Sequence, residues 1–128
     1  MADEFRVDVV VDERHQRLVV HGEVDLATAP AVEAAFEQRI AAGPRTTHEA
    51  DLAVVADLTR CDFIDSTGVR TLVQIGRRVA AEGRRFSIVC PPGSGSRFTL
   101  DLLGVDASFP VHDSVEGPVV SDDPAASA

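Results

Sequence analysis

The chain has 128 residues, the size of one domain with room for a hydrophobic core that needs no staples. Hydrophobic residues make up 45% and the mean hydropathy is +0.04, so a soluble globular protein is expected, with no apolar run long enough for a membrane span. The net charge of −9 argues against nucleic-acid backbones or anionic membranes as partners, and the absence of Lys, Tyr and Trp excludes Schiff-base chemistry and a tyrosine acid or nucleophile.

The N-terminus, Met1 to Arg6, is charged and lacks an apolar signal core, which predicts a cytoplasmic protein. Phe5 to Val11 alternates and is rich in β-branched residues, so it reads as a strand. Asp12 to His15 is a polar turn, and Leu18 to Gly22 a second strand close enough to form a hairpin with the first. Gly22 to Leu26 then leaves the sheet. Thr28 is a candidate N-cap, with Pro30 in the first helical turn. Val32, Ala35, Phe36, Arg39 and Ile40 follow at helical spacing, and Gly43-Pro44 ends the helix.

Leu52 to Leu58 is nearly continuous apolar sequence, as in a central strand buried on both faces. The stretch Cys61 to Val69 reads as a turn running into a second helix. Val69, Leu72, Val73, Gly76, Val79 and Ala80 mark one face of that helix, and Gly83 stops it. Phe86 to Cys90 is another strand. After the Pro91 to Gly95 loop a short helix is expected, capped by Ser94 or Ser96, with Phe98, Leu102 and Leu103 facing inward. Phe109 to His112 is a short final strand, and Asp113 to Glu116 a brief last turn. The order β-β-α-β-α-β-α-β predicts one α/β domain over residues 1–118. Its expected core is a mixed sheet of about four to five strands backed by helices, with parallel, right-handed crossovers after the hairpin. Residues 119–128 are small, acidic and Pro-containing and read as a disordered tail.

Candidate chemistry concentrates at Asp65-Ser66-Thr67-Gly68. Ser66 sits where a helix begins. It reads either as an N-cap, contributing about 1 kcal/mol, or as a hydroxyl placed for modification. A phosphate there would lie at the positive helix end and add about −1.5 to −2 charges without moving the fold. Gly68 would leave the first turn open to a partner. Asp25, Asp57 and Asp65 follow strand ends. They read either as turn caps or as a shared acidic surface around Ser66. Enzyme signatures are missing: the serine lacks the leading Gly of a nucleophile elbow, no His or carboxylate pair sits at a catalytic spacing, and the Gly93-Ser94-Gly95 loop lacks a Walker lysine. Cys61 and Cys90 have no CxxC spacing and read as buried thiols. Arg77, Arg78, Arg84 and Arg85 read as a solvated surface, with a docking patch as the alternative.

The segments Gly22-Glu23-Val24-Asp25-Leu26, Val54 to Leu58 and Phe63 to Leu72 resemble the STAS-domain anti-sigma factor antagonists of bacteria. So do Pro91-Pro92, Arg97-Phe98, Leu102 to Asp106 and Phe109 to Ser114, and the resemblance spans about residues 5 to 117. It implies a STAS fold and a binding protein rather than an enzyme. The unphosphorylated form would bind an anti-sigma factor that is also a serine kinase and so free the sigma factor. Phosphorylation of Ser66 would block binding, and a serine phosphatase would restore it. The resemblance places Asp25, Asp65, Ser66, Thr67, Gly68 and Arg70 at the partner surface. It assigns ATP and Mg²⁺ to the kinase, so no cofactor or metal is expected in this chain. Other STAS domains act without phosphorylation, as adaptor subunits of transporters or signalling complexes, and that remains the alternative.

Overall fold

The structure is a computed structural model and describes residues 4–42, 49 and 51–115. Its frame is a six-stranded mixed sheet. Strand β1 (Arg6–Val11) pairs antiparallel with β2 (His15–Val24) through the register Arg6↔His21 to Val11↔Gln16. The hairpin turn is tied by Asp12, whose Oδ1 accepts from the backbone N–H of Arg14 and of His15 at 2.8 Å each. β2 is longer than the sequence pattern indicates. It begins at His15, which is buried rather than part of the turn, and continues through Val24, where the sequence predicts departure from the sheet. The alternation breaks at both ends because His15, Gln16 and His21 are buried polar residues.

Strand β3 (Ala53–Asp57) lies parallel to β2 on one side and to β5 (Phe86–Val89) on the other. It is buried along its whole length, as its unbroken apolar sequence predicts. The two-residue strand β6 (Val111–His112) adds to β5 in parallel at the far edge. The path is therefore β1-β2-β3-β5-β6. Strand β4 (Cys61–Ile64) branches off it and pairs only with β2. The sequence reading takes these four residues for a turn and counts about four to five strands; with β4 there are six among the described residues. Its concealment has a physical reason. β4 pairs on one side only, and a register irregularity at Gly22/Glu23 leaves Asp62 without an opposite residue, so the strand shows no clean alternation.

Helix α1 (Ala29–Phe36) runs on as a π-helical turn, Glu37–Ala41. The predicted stop at Gly43-Pro44 and the acidic tail lie outside the described residues. Helix α2 (Ser66–Ala81) ends at Gly83, whose φ of 78° is the left-handed conformation that favours glycine. It buries Val69, Leu72, Ile75 and Val79 against Leu18, Val20, Val54, Ile64, Phe86 and Ile88 of the sheet and Val32 and Phe36 of α1. Gly76 belongs to this seam: a Cβ there would lie 2.7 Å from ring atoms of both Phe86 and Phe109, which pack edge to face at 5.1 Å. Of the predicted members of that face, Val73 is half-buried against the core and Ala80 is exposed, while Ile75, which the pattern did not single out, is buried.

Helix α3 (Gly95–Leu102) departs most from expectation. Ser94 is its N-cap and accepts from Arg97 N–H at 3.0 Å. Its inward residues are Ser96 and Leu100, followed by Val105 in a 3₁₀ turn, Val105–Ala107. Phe98, Leu102 and Leu103, predicted to face the core, are exposed. The reason is which side of α3 meets β4: the buried Ser96 hydroxyl donates to the Cys61 carbonyl at 2.9 Å, fixing the helix on its Ser96–Leu100 side.

Candidate functional site

The site is built where two parallel strands stop together. In the β2–β4 register Val24 lies opposite Ile64, so the next residues, Asp25 and Asp65, leave the sheet side by side. The Asp65 N–H donates to the Val24 carbonyl at 3.1 Å, and Gly22 N–H to the Arg60 carbonyl at 3.0 Å. Each aspartate then organises the start of a helix. Asp25 Oδ1 accepts from the N–H groups of Ala27 and Thr28 at 2.9 and 3.1 Å, and its carbonyl accepts from Ala29 N–H. Thr28 precedes α1 but makes no cap bond with its side chain. Its hydroxyl instead donates back to the Glu23 carbonyl at 2.8 Å and accepts from Asp25 N–H.

Asp65 does the same work for α2. It is the N-cap, with extended backbone angles, and its Oδ1 accepts from Gly68 N–H at 3.0 Å. Ser66 is therefore not the cap. It is the first residue of the helix, it is exposed, and its hydroxyl holds no hydrogen bond among the described residues. The backbone N–H groups of Ser66 and Thr67 are also without backbone partners, as befits a first helical turn. Thr67 is half-buried and Arg70, one turn on, is exposed.

Gly68 is turned inward. It is buried, and an added Cβ would lie 2.6 Å from Ile64 Cγ1 and 2.7 Å from Val24 Cγ1. It does not open the turn to a partner; it lets the first turn of α2 press against the ends of β2 and β4. Its contribution to the site is the placement of Ser66.

Asp57 does not join an acidic surface with Asp25 and Asp65. It is buried at the end of β3, paired with Arg17 Nη1 at 3.0 Å, and its other oxygen accepts from the Thr59 N–H and hydroxyl at 3.0 and 2.6 Å. The acidic rim beside Ser66 is instead completed by Glu23 and Asp62, both exposed on the paired strands and neither singled out by sequence. Cys61 and Cys90 are buried and free, and burial pushes both thiols up. Among the arginines, Arg78 pairs with Glu37 and stacks over Phe36 at 5.8 Å, and Arg84 donates to the Leu52 carbonyl at 3.0 Å. These two hold elements together, while Arg77 and Arg85 stay exposed. Among the described residues no group of three or more His, Cys, Asp or Glu could hold a metal ion, and no helix is long and apolar enough to cross a membrane.

The STAS domain sequence model matches residues 6–117. The chain belongs to the STAS domain family. Over 104 residues, covering 78% of each chain, this STAS protein is 31% identical to the anti-sigma-F factor antagonist RsfB of Mycobacterium tuberculosis. It superposes on an anti-sigma factor antagonist from Mycobacterium paratuberculosis with a TM-score of 0.76 and 25% identity, over 92% of this chain and 93% of that one. SpoIIAA in its unphosphorylated form, an anti-sigma factor antagonist at 19% identity, shares the fold with a TM-score of 0.67 over 92% of this chain and 94% of that one. In STAS terms, the Asp65 cap, the free Ser66 hydroxyl and the inward Gly68 form one unit at the joint of β4 and α2.

Proposed function

We propose that this STAS protein is an anti-sigma factor antagonist controlled at Ser66. Unphosphorylated, it binds an anti-sigma factor that is also a serine kinase, and the sigma factor is released. Transfer of a phosphoryl group to the Ser66 hydroxyl ends that binding, and a serine phosphatase renews it. Asp25, Asp65, Ser66, Thr67 and Arg70 lie at or beside the contact, with Gly68 holding the turn beneath it. The work is done in the cytoplasm by the domain of residues 1–118, and ATP and Mg²⁺ belong to the kinase.

One observation carries the reading. Asp65 takes the capping duty, so nothing in the fold requires a hydroxyl at Ser66, yet one stands exposed and unbonded at the positive end of a sixteen-residue helix. A phosphate there gains the first-turn N–H groups of Ser66 and Thr67 and the helix dipole. It also meets Asp25 and Asp65 and deepens an already acidic rim. Such a modification changes surface charge while leaving the packing beneath it intact. The names of the relatives support the partner class: RsfB of M. tuberculosis and the M. paratuberculosis protein are both called anti-sigma factor antagonists.

The test uses the anti-sigma factor kinases encoded in the same genome, purified, with ATP and Mg²⁺. Mass spectrometry should place the phosphate on Ser66. Ser66→Asp should weaken binding by about a hundredfold, because a fixed charge occupies the docking point. Ser66→Ala should bind and stay insensitive to ATP. Tight binding by Ser66→Asp would sink the charge switch. Absence of phosphate with every kinase, combined with co-purification in a transporter or large signalling assembly, would favour a phosphorylation-independent adaptor instead.

A further inference from the structure

Among the described residues, the large apolar side chains left in water are Val10 and Val11 at the end of β1 and a larger set on or near α3 and the ends of β2 and β4. Leu102 is 71% exposed, Phe98 69% and Leu103 48%, all on or just past α3; Phe63 on β4 is 44% exposed and Leu26, directly after Asp25, 75%. Gly95, Phe98 and Leu102 stand at i, i+3 and i+7, one stripe of the helix. The stripe starts against β4: a Cβ on Gly95 would lie 3.3 Å from the Asp62 carbonyl oxygen, and Ser96 bonds the Cys61 carbonyl. Phe63 is the exposed residue that directly follows these two on β4, and Ser66 follows Phe63 by three residues. An apolar ridge thus runs from the Ser66 rim out along α3.

We propose that this ridge, Phe98, Leu102 and Leu103 with Phe63 at its head, is the second half of the docking surface for the anti-sigma factor, and that the partner meets it with an apolar strip flanked by Arg or Lys. The inference rests on the function proposed above and adds a surface to it. The charges decide the occupant. Glu23, Asp25, Asp62 and Asp65 line the rim, Asp101 lies on the helix and Asp106 in the 3₁₀ turn after it. Arg97, the basic side chain of α3, is already held by Asp101 at 3.3 Å and Asp113 at 3.0 Å. A second copy of this chain, net charge −9, would bring the same carboxylates face to face in a two-fold contact. A basic-flanked strip meets them with opposite charge, and the exposed Phe and Leu side chains supply apolar area for burial.

The experiment compares wild type, the double variant Phe98→Ser with Leu102→Ser, and Ser66→Asp for binding to the purified anti-sigma factor kinase of the same genome, without ATP. Both ridge residues are exposed, so the thermal midpoint of the double variant should stay at the wild-type value; Phe98→Arg serves as a second variant that keeps Leu102. We expect the double variant to weaken binding by about tenfold or more, chiefly through faster dissociation, and to lower kcat/KM for Ser66 phosphorylation in step. Binding within about twofold of wild type, alongside loss in Ser66→Asp, overturns the ridge and leaves the Ser66 reading standing. Equal binding by wild type and Ser66→Asp defeats the function and the ridge together. A wild-type dimer by sedimentation that the double variant dissolves assigns the ridge to a second copy and overturns the proposal. So does a hydrophobic-dye signal that appears only when residues 116–128 are removed and is lost in the double variant, which assigns the ridge to the chain's own C-terminal segment.

Discussion

At the scale of single residues the site divides its labour between neighbours. Asp65 holds the helix start and Ser66 is left free, so the two can be tested apart. Asp65→Asn retains an oxygen that can accept from Gly68 N–H, and should leave unfolding free energy nearly unchanged. Asp65→Ala removes the cap and should cost about 1 kcal/mol in urea denaturation. Equal stability in the two variants would show that the cap bond contributes nothing. The same pair separates charge from structure in partner binding, since only the Asn variant loses the carboxylate with the helix start in place. The sequence pointed to Ser66 through the Asp-Ser-Thr-Gly motif but could not tell which of two adjacent cap-forming residues does the capping. Asp and Ser rank alike at N-caps. The choice is made by β4, whose bond from Asp65 N–H to the Val24 carbonyl sets the backbone of Asp65 in the extended, non-helical form a cap needs.

At the scale of elements, the joint between α2 and the two strand ends depends on a missing side chain. Gly68→Ala places a methyl 2.6 Å from Ile64 Cγ1 and 2.7 Å from Val24 Cγ1, both on buried residues with little room to retreat. Overpacking of this kind costs about 1–3 kcal/mol, against at most about 1 kcal/mol gained from helix propensity. We expect a net loss of about 1–2 kcal/mol, read as a lower denaturation midpoint. A stabilised Gly68→Ala would mean that the first turn can lift away at no cost. α1 and α2 were legible from their helical spacing, β3 from its unbroken apolar run, and the middle of β2 from its β-branched sequence, though not its two ends. β4 and the orientation of α3 were not. A four-residue strand paired on one side has no period to read, and an eight-residue helix carrying Phe98, Leu100 and Leu102, with Leu103 just past its end, offers two apolar faces. Ser96 selects between those faces by its bond to Cys61, and the sequence hides it in a Gly-Ser-Gly-Ser run that looks like loop.

At the scale of the whole molecule, stability against acid should reflect the β1–β2 hairpin. The carboxyl of Asp8 is held below its ordinary value of 3.8, first by its hydrogen bond from Arg6 and then by the charges of Arg6 and His21. For Asp12 burial acts upward, but the N–H groups of Arg14 and His15 outweigh it and the carboxyl is again lowered. A carboxylate lowered in the folded state stabilises the fold fully above its unfolded value and loses that contribution as pH falls through its folded one. These contributions should therefore disappear below about pH 4. Protonation also relieves the self-repulsion of a chain with net charge −9, which acts in the opposite direction. Comparing wild type with Asp12→Asn isolates the first effect, because Asn still accepts from the two N–H groups but does not titrate. Thermal midpoints of the variant should fall less steeply between about pH 5 and pH 3. Parallel curves would show that Asp12 acts by geometry alone.

The branching of the sheet has a mechanical consequence. Among the described strands β4 pairs with β2 alone, while β2 also carries β1 along one side and β3 along the other. Whatever grips Ser66 pulls on Asp65, on its bond to the Val24 carbonyl, and so on the one strand that three others hold in place. The load enters at a side branch, yet it is borne by the strand with the most strand partners among the described residues. The handle can change its charge while its mounting stays rigid.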